Sequence, residues 1–250
     1  MYDDFKVKSL AKAMEVLECF SIKTPELGIT EIASALKLQK ATVYNILATF
    51  EKLGYVEQSR TNSKYHLSLR MLRFGYIVNA HLDYRTVFKP YMQKLATVCN
   101  EVGYLAVPYD REVLYLDSVS PRTAVPDRLI SGEHAPMHCT GLGKVLLAFM
   151  PEEERNATLS LPMTKHTECT ITDPAVMLSE LIEIKARGYA VDNMEHEYGV
   201  TCVAVPIFGL SGEPVAAVSV SGPTPRFSAG RIEELAGILK EILGPLQNTL

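Results

Sequence analysis

Lys40-Ala41-Thr42-Val43-Tyr44-Asn45-Ile46-Leu47-Ala48-Thr49-Phe50-Glu51-Lys52-Leu53-Gly54-Tyr55-Val56-Glu57-Gln58 decides how the amino-terminal region folds. Val43, Ile46, Leu47 and Phe50 recur at three- and four-residue steps, which puts them on one face of a helix running from near Lys40 to Leu53. Gly54 is the expected stop, because glycine enters the left-handed region without steric cost. Residues 55–58 and 64–67 then alternate around the polar loop Ser59-Arg60-Thr61-Asn62-Ser63, the pattern of a short hairpin. Upstream, Thr30 is placed to cap a two-turn helix in which Ile32, Ala33 and Leu36 share a face, after a break at residues 25–28. Residues 9–21 carry Leu10, Ala13, Met14, Leu17 and Phe20 at helical spacing, with Ser9 as the expected cap. Three helices, the last two joined by a tight turn, followed by a hairpin, predict a winged helix-turn-helix.

The outer side of the third helix holds Lys40, Thr42, Tyr44, Asn45 and Thr49, and the hairpin adds Arg60 and Lys64. Cations seek phosphates, while amides and hydroxyls can read base edges, so this set points to double-stranded DNA, with Asn45 as the expected base contact. A solvated face on a winged-helix protein-interaction module is the blander alternative. Charge favours the polyanion: residues 1–80 hold 11 Lys and Arg against 8 Asp and Glu, whereas residues 81–250 hold 14 against 21. The chain of 250 residues is 47% hydrophobic, which excludes disorder and allows one large or two small domains. Its longest nearly unbroken apolar run, residues 200–210, is too short to cross a bilayer, and the first twenty residues lack the apolar stretch of a signal peptide. Five scattered cysteines without a CxxC pair fit a reducing, cytoplasmic setting.

Residues 69–83 predict a linker helix through Leu69, Leu72, Tyr76 and Ala80, an apolar stripe that suits a dimer surface. Residues 84–98 predict a long helix. Strands follow at 102–108 and 113–119, and again at 200–208 and 214–221, with helices at 141–150, 174–187 and 228–243. The fold class is therefore α+β: residues 1–68 a reading head, 69–83 a linker, and 84–250 a domain on an antiparallel sheet. Alternation along the last hairpin puts Cys202 on one face near Ser219 and Ser221, with Asp192 just upstream; pairing about residues 209–213 brings Cys202 close to Ser219. The helix opening at Thr140 and Gly141 offers unpaired amides and a dipole that favours a small carboxylate, and Leu129 and Met137 could supply an apolar wall.

Several of these words resemble the IclR family of bacterial transcription regulators: Leu38-Gln39-Lys40-Ala41-Thr42-Val43-Tyr44-Asn45-Ile46-Leu47, Leu53-Gly54-Tyr55-Val56, His138-Cys139-Thr140-Gly141-Leu142-Gly143-Lys144, and the run from Gly188 to Pro206. The resemblance covers nearly the whole chain. It implies a GAF- or PAS-like effector domain in which Thr140, Gly141, Asp192, Cys202, Ser219 and Ser221 line a pocket, and a homodimer or homotetramer on operator DNA. It implies no cofactor. Asn45 stands where the family usually has Arg, and Tyr65-His66-Leu67-Ser68 replaces a Tyr-Arg-Leu-Gly-like wing; both bear on which operator is read. Two other functions are weighed against a ligand-responsive regulator: an enzyme with Cys202 as nucleophile aided by His196 and Asp192, and a metal sensor drawing on His134, His138, Cys139, His166, Cys169 or His196.

Overall fold

The computed structural model describes residues 5–80, 83–121 and 130–250. It separates into two compact units, residues 1–82 and 83–250. In the first, α1 (Lys8–Glu18), α2 (Ile29–Leu36) and α3 (Lys40–Leu53) close around Val16, Leu17, Ile32, Val43 and Leu47. Strands β1 (Val56–Gln58) and β2 (Tyr65–Leu67) pair antiparallel, Val56 opposite Leu67, and add Val56 and Tyr65 to that core. Leu27 pairs with Tyr65 through both backbone bonds, at 3.0 and 2.9 Å, so the segment before α2 is a third edge of the wing.

The helix starts depart from expectation. Neither Ser9 nor Thr30 caps: the caps are Val7, without a side-chain bond, and Gly28, whose amide donates to the Glu31 carboxylate at 2.6 Å. The acid three residues into the helix does what a capping hydroxyl would have done. The apolar stripe of α1 also divides, with Leu17 in the core and Leu10 and Met14 exposed beside Phe5 and Val7. Gly54 ends α3 in the left-handed region at φ +80°. Ser68 Oγ donates to the Gly54 carbonyl and Arg70 Nη1 to that of Leu53 at 2.8 Å, which ties the α3 terminus to the chain leading into α4 (Leu72–Ala80).

The second unit begins with α5 (Asp83–Cys99) and is built on a six-stranded antiparallel sheet: β3 (Val102–Tyr109), β4 (Glu112–Val119), β5 (His134–Pro136), β6 (Ala190–Asn193), β7 (Val200–Phe208) and β8 (Pro214–Pro223), in the order β5-β4-β3-β8-β7-β6. Three helices lie between β5 and β6: α6 (Gly141–Phe149), α7 (Glu152–Leu159) and α8 (Pro174–Arg187). The chain closes with α9 (Ala229–Leu243). Helix α6 packs on β7, β8 and α8, while α5 and α9 pack on each other and on β3 and β7. Small residues make the first contact possible: Ala106, Ala204 and Ala217 share a cluster with Leu142, Val145 and Leu146, and α6 is buried from Gly141 to Ala148.

Cys202 lies opposite Ser221 and Ala204 opposite Ser219, with a bulge between Ile207 and Phe208, so Ser219 is the diagonal neighbour of Cys202 on the same face, as expected. Strand β5 and helix α7 carry no strong period and were not expected.

At Gly143 a Cβ would run into the Met137 backbone, both its Cα and its carbonyl. Gly143→Ala therefore lowers the urea midpoint by an amount equivalent to about 2–3 kcal/mol, through overpacking; a variant that unfolds at the wild-type midpoint would show that α6 can withdraw without cost.

Candidate reading face and effector pocket

On α3, Lys40, Tyr44, Asn45 and Thr49 are exposed, and Thr42 is half-buried at the first turn. The Thr49 hydroxyl donates to the Asn45 carbonyl at 2.7 Å, so toward a partner it offers only an acceptor. Arg60 stands exposed at the hairpin tip. Lys64 differs: its ammonium is 2.9 Å from Glu31 Oε1, and the same carboxylate holds the Gly28 amide. Both contacts pull the Glu31 carboxyl below its ordinary range, the Lys64 hydrogen bond more strongly. Lys64 thus fastens the wing to the start of α2. Asn62 does the same nearby, donating to Glu26 at 2.7 Å.

In the second unit a cavity of about 340 Å³ opens between the sheet and the start of α6. Thr140, Gly141, Asp192, Cys202, Ser219 and Ser221 all line it, so six of the eight expected residues meet. Leu129 lies outside the described residues. Met137 does not reach this cavity: the chain turns into a 3-10 helix at Met137–Cys139, and the residue packs beneath Gly143 on the other side of α6. Ala135 and Ile130 form the apolar wall in its place. Tyr104 and Tyr115, in edge-to-face contact at 5.8 Å, were missed, as were Glu133, His196 and Glu197. Tyr104 faces Ser219 across the β3–β8 pair, a contact between residues more than a hundred positions apart that no local pattern announces.

The chemistry of the lining is specific. Thr140 is an N-cap, donating to the Pro136 carbonyl at 3.0 Å and accepting from the Gly143 amide at 3.1 Å. Gly141 presses on Cys202, where a Cβ would come within 2.6 Å of the sulfur. Burial and then the Asp192 charge push the Cys202 thiol up to about 12, despite bonds from the Gly141 and Asp192 amides and the Ser221 hydroxyl. Asp192 Oδ1 accepts the Glu195 amide at 2.7 Å. Burial nevertheless raises its carboxyl to about 7. Ser219 is 1% exposed, and its hydroxyl has no hydrogen-bond partner among the described residues. No lysine or arginine is among the described lining residues. Elsewhere, His138, Cys139 and His166 bring three possible metal ligands together, whereas His134 pairs with Glu112 at 3.4 Å and Cys169 is exposed.

Residues 9–60 match the IclR helix-turn-helix domain, and residues 76–243 match the bacterial transcriptional regulator IclR C-terminal domain. The chain belongs to the IclR family. Among curated relatives, the HTH-type transcriptional regulator XynR of Escherichia coli is 32% identical over 221 residues, covering 88% of each chain. An IclR-family regulator from Brucella abortus superposes with a TM-score of 0.84 at 30% identity, over 98% of this chain and 93% of the other. An IclR homologue from Microbacterium hydrocarbonoxydans, solved with 4-hydroxybenzoate, gives a TM-score of 0.74 at 26% identity, over 95% and 99%. The protein is a DNA-binding transcription regulator, α+β in fold, and not an enzyme. The cysteine-nucleophile reading is disfavoured by the environment as well, since burial and the Asp192 charge raise the Cys202 thiol and the position has no cation to stabilise a thiolate among the described lining residues. Among the described residues, no helix is long and apolar enough to cross a membrane.

The raised Asp192 carboxyl sets a pH dependence. Below its ordinary value near 4, this group is protonated in folded and unfolded chains alike. As pH rises toward 7, the unfolded chain releases the proton and the folded one retains it, so stability falls across that window and levels off above it. Asp192→Asn keeps the acceptor for the Glu195 amide and removes the titration. Urea unfolding at pH 4.5, 6 and 8 should show the variant gaining on the wild type by roughly 3 kcal/mol in total; a constant difference would mean Asp192 is ionised throughout.

Proposed function

We propose that this IclR-family regulator reads its operator through α3 and the wing as a symmetric homodimer or a pair of dimers, and that a small organic acid in the cavity tunes that binding. Asn45, with Thr42, Tyr44 and Thr49, meets base edges; Lys40 and Arg60 meet phosphates; Lys64 contributes by fixing the wing and by its charge. Dimerisation is supported by two apolar surfaces of the first unit, Leu69, Leu72, Tyr76 and Val78 in and before α4 and Phe5, Val7 and Leu10 around α1, all exposed. As a reader of operator DNA the protein works in the cytoplasm. The metal-sensor alternative draws on residues that, His196 apart, lie outside this cavity lining.

The observation that carries the effector reading is the Ser219 hydroxyl. A buried hydroxyl without a partner costs about 1–3 kcal/mol, and a ligand oxygen in the cavity would recover it. Asp192, whose raised carboxyl keeps a substantial protonated fraction near neutral pH, can donate to a carboxylate where no cation is present to meet it. The 4-hydroxybenzoate of the Microbacterium homologue is a small aromatic acid, and Tyr104 and Tyr115 offer ring faces for such a ligand. The effector acts by preferring one state of the carboxy-terminal unit, and operator affinity follows by linkage.

Two measurements test this. In anisotropy titrations, Arg60→Ala should weaken binding to operator and random duplex alike and reduce the slope of log K against log salt by about 1. Asn45→Ala should instead narrow the gap between operator and random duplex by about tenfold; an unchanged gap removes Asn45 from base reading. In a thermal-shift screen of 2-oxo, hydroxy and aromatic acids, Ser219→Ala should raise the unliganded melting temperature, since the unpaired hydroxyl is gone, and leave operator binding intact while weakening the best acid by about tenfold. A lowered melting temperature together with lost operator binding would make Ser219 a structural residue.

A further inference from the structure

Apart from the cavity, the 3-10 turn before α6 and the loop between α7 and α8 converge on three side chains with donors for a transition metal. His138, Cys139 and His166 each offer one ligand atom, and all three atoms lie within 4.8 Å of one another. We propose that these residues bind one divalent ion of the zinc class, with water completing the coordination on the exposed side of His166. This does not depend on the effector reading.

The supporting contacts fix the donors in a usable state. His138 Nε2 lies 3.0 Å from the Thr164 carbonyl, which can only accept, so Nε2 carries the proton and Nδ1 keeps the lone pair a metal requires. Cys139 follows in the same turn, Met137–Cys139, whose backbone is seated against Gly143. The His166 amide donates to Thr170 Oγ1 at 3.1 Å. That threonine in turn donates to the Glu195 carbonyl, and Thr167 to that of Met194, both at 2.6 Å, so the loop is anchored to the turn after β6 directly after His166.

Two imidazoles and a thiolate are the donor set of zinc, cobalt and nickel, not of calcium or magnesium. Metal bonds of about 2.0 Å to nitrogen and 2.3 Å to sulfur place tetrahedral ligands roughly 3.5 Å apart. The donors therefore close by about an ångström on binding, and His166, the exposed one of the three, is the freest to move. On binding, the Cys139 thiol releases its proton to solvent as the metal–sulfur bond forms, and no electron changes hands. The His196 ring stands 5.3 Å from that of His166 and lines the cavity, so the ion would sit one side chain behind the pocket wall.

The test uses full-length protein stripped with a chelator and titrated with Co2+. The expected result is one Co2+ per chain, with near-ultraviolet thiolate-to-cobalt charge transfer and intense four-coordinate visible bands, both removed by Zn2+. His166→Ala, at an exposed position that leaves the core intact, should weaken Co2+ at least tenfold, and Cys139→Ser should abolish the charge-transfer band. Cys169→Ser, which changes the exposed cysteine, should alter nothing. A titration with no charge-transfer band, one unchanged in His166→Ala, or a band that follows Cys169 overturns the proposal.

Discussion

A charge that water cannot reach has to be answered inside the protein, and the ammonium of Lys144, 1% exposed on α6, sets this requirement for the second unit. Its answer is Glu195, in the turn after β6, with Glu180 of α8 at 3.8 Å. Removing either partner would strand a buried charge, so α6, α8 and the β6 turn are held in one arrangement. Much of the cavity depends on it. The Glu195 amide donates to Asp192, and the Glu195 carbonyl takes the Thr170 hydroxyl, so the same residue positions a pocket carboxylate and anchors the loop of His166.

The two units divide the physical work. The reading head offers long-range charge and a helix face of short polar side chains, with its wing clipped down by Lys64–Glu31 and Asn62–Glu26. The cavity is almost the opposite in character: aromatic on one side, acidic on another, and without a lining cation among the described residues. A ligand there would be selected by hydrogen bonds and shape more than by net charge. Within the first unit, Ser68 and Arg70 bind the last carbonyls of α3, and the Arg70 guanidinium covers the Tyr55 ring at 5.0 Å. The start of the linker and the end of the reading helix therefore move as one piece.

Local signals were legible, and long-range ones were not. Helix α8 follows from the sequence with its ends in place, because Asp173 caps it, Pro174 opens it and Gly188 closes it at φ +73°. The same logic failed at α2, where the cap is made by an acid reaching backward instead of a hydroxyl reaching forward. Six pocket residues were found because they sit on one hairpin, one strand and one helix start whose faces can be counted. Tyr104, Tyr115 and Glu133 were not, since their approach requires β3 to lie beside β8 and β5 beside β4. Met137 was misplaced because closeness in sequence to the α6 start was taken for closeness to the cavity, whereas the 3-10 turn at Met137–Cys139 seats it against Gly143 instead.

The pairing of β3 with β8 joins Val102 to Ser221 at the centre of the sheet. During synthesis, the hairpin β3–β4, complete at Val119, leaves the ribosome well before its inner neighbour begins at Pro214, with one edge unpaired and its apolar faces uncovered. The reading head has no such delay, since its core lies within the first 82 residues. A nascent chain of this protein is therefore a finished DNA-reading module trailing an unfinished sheet, and the interval until β8 emerges is when the second unit most needs a chaperone.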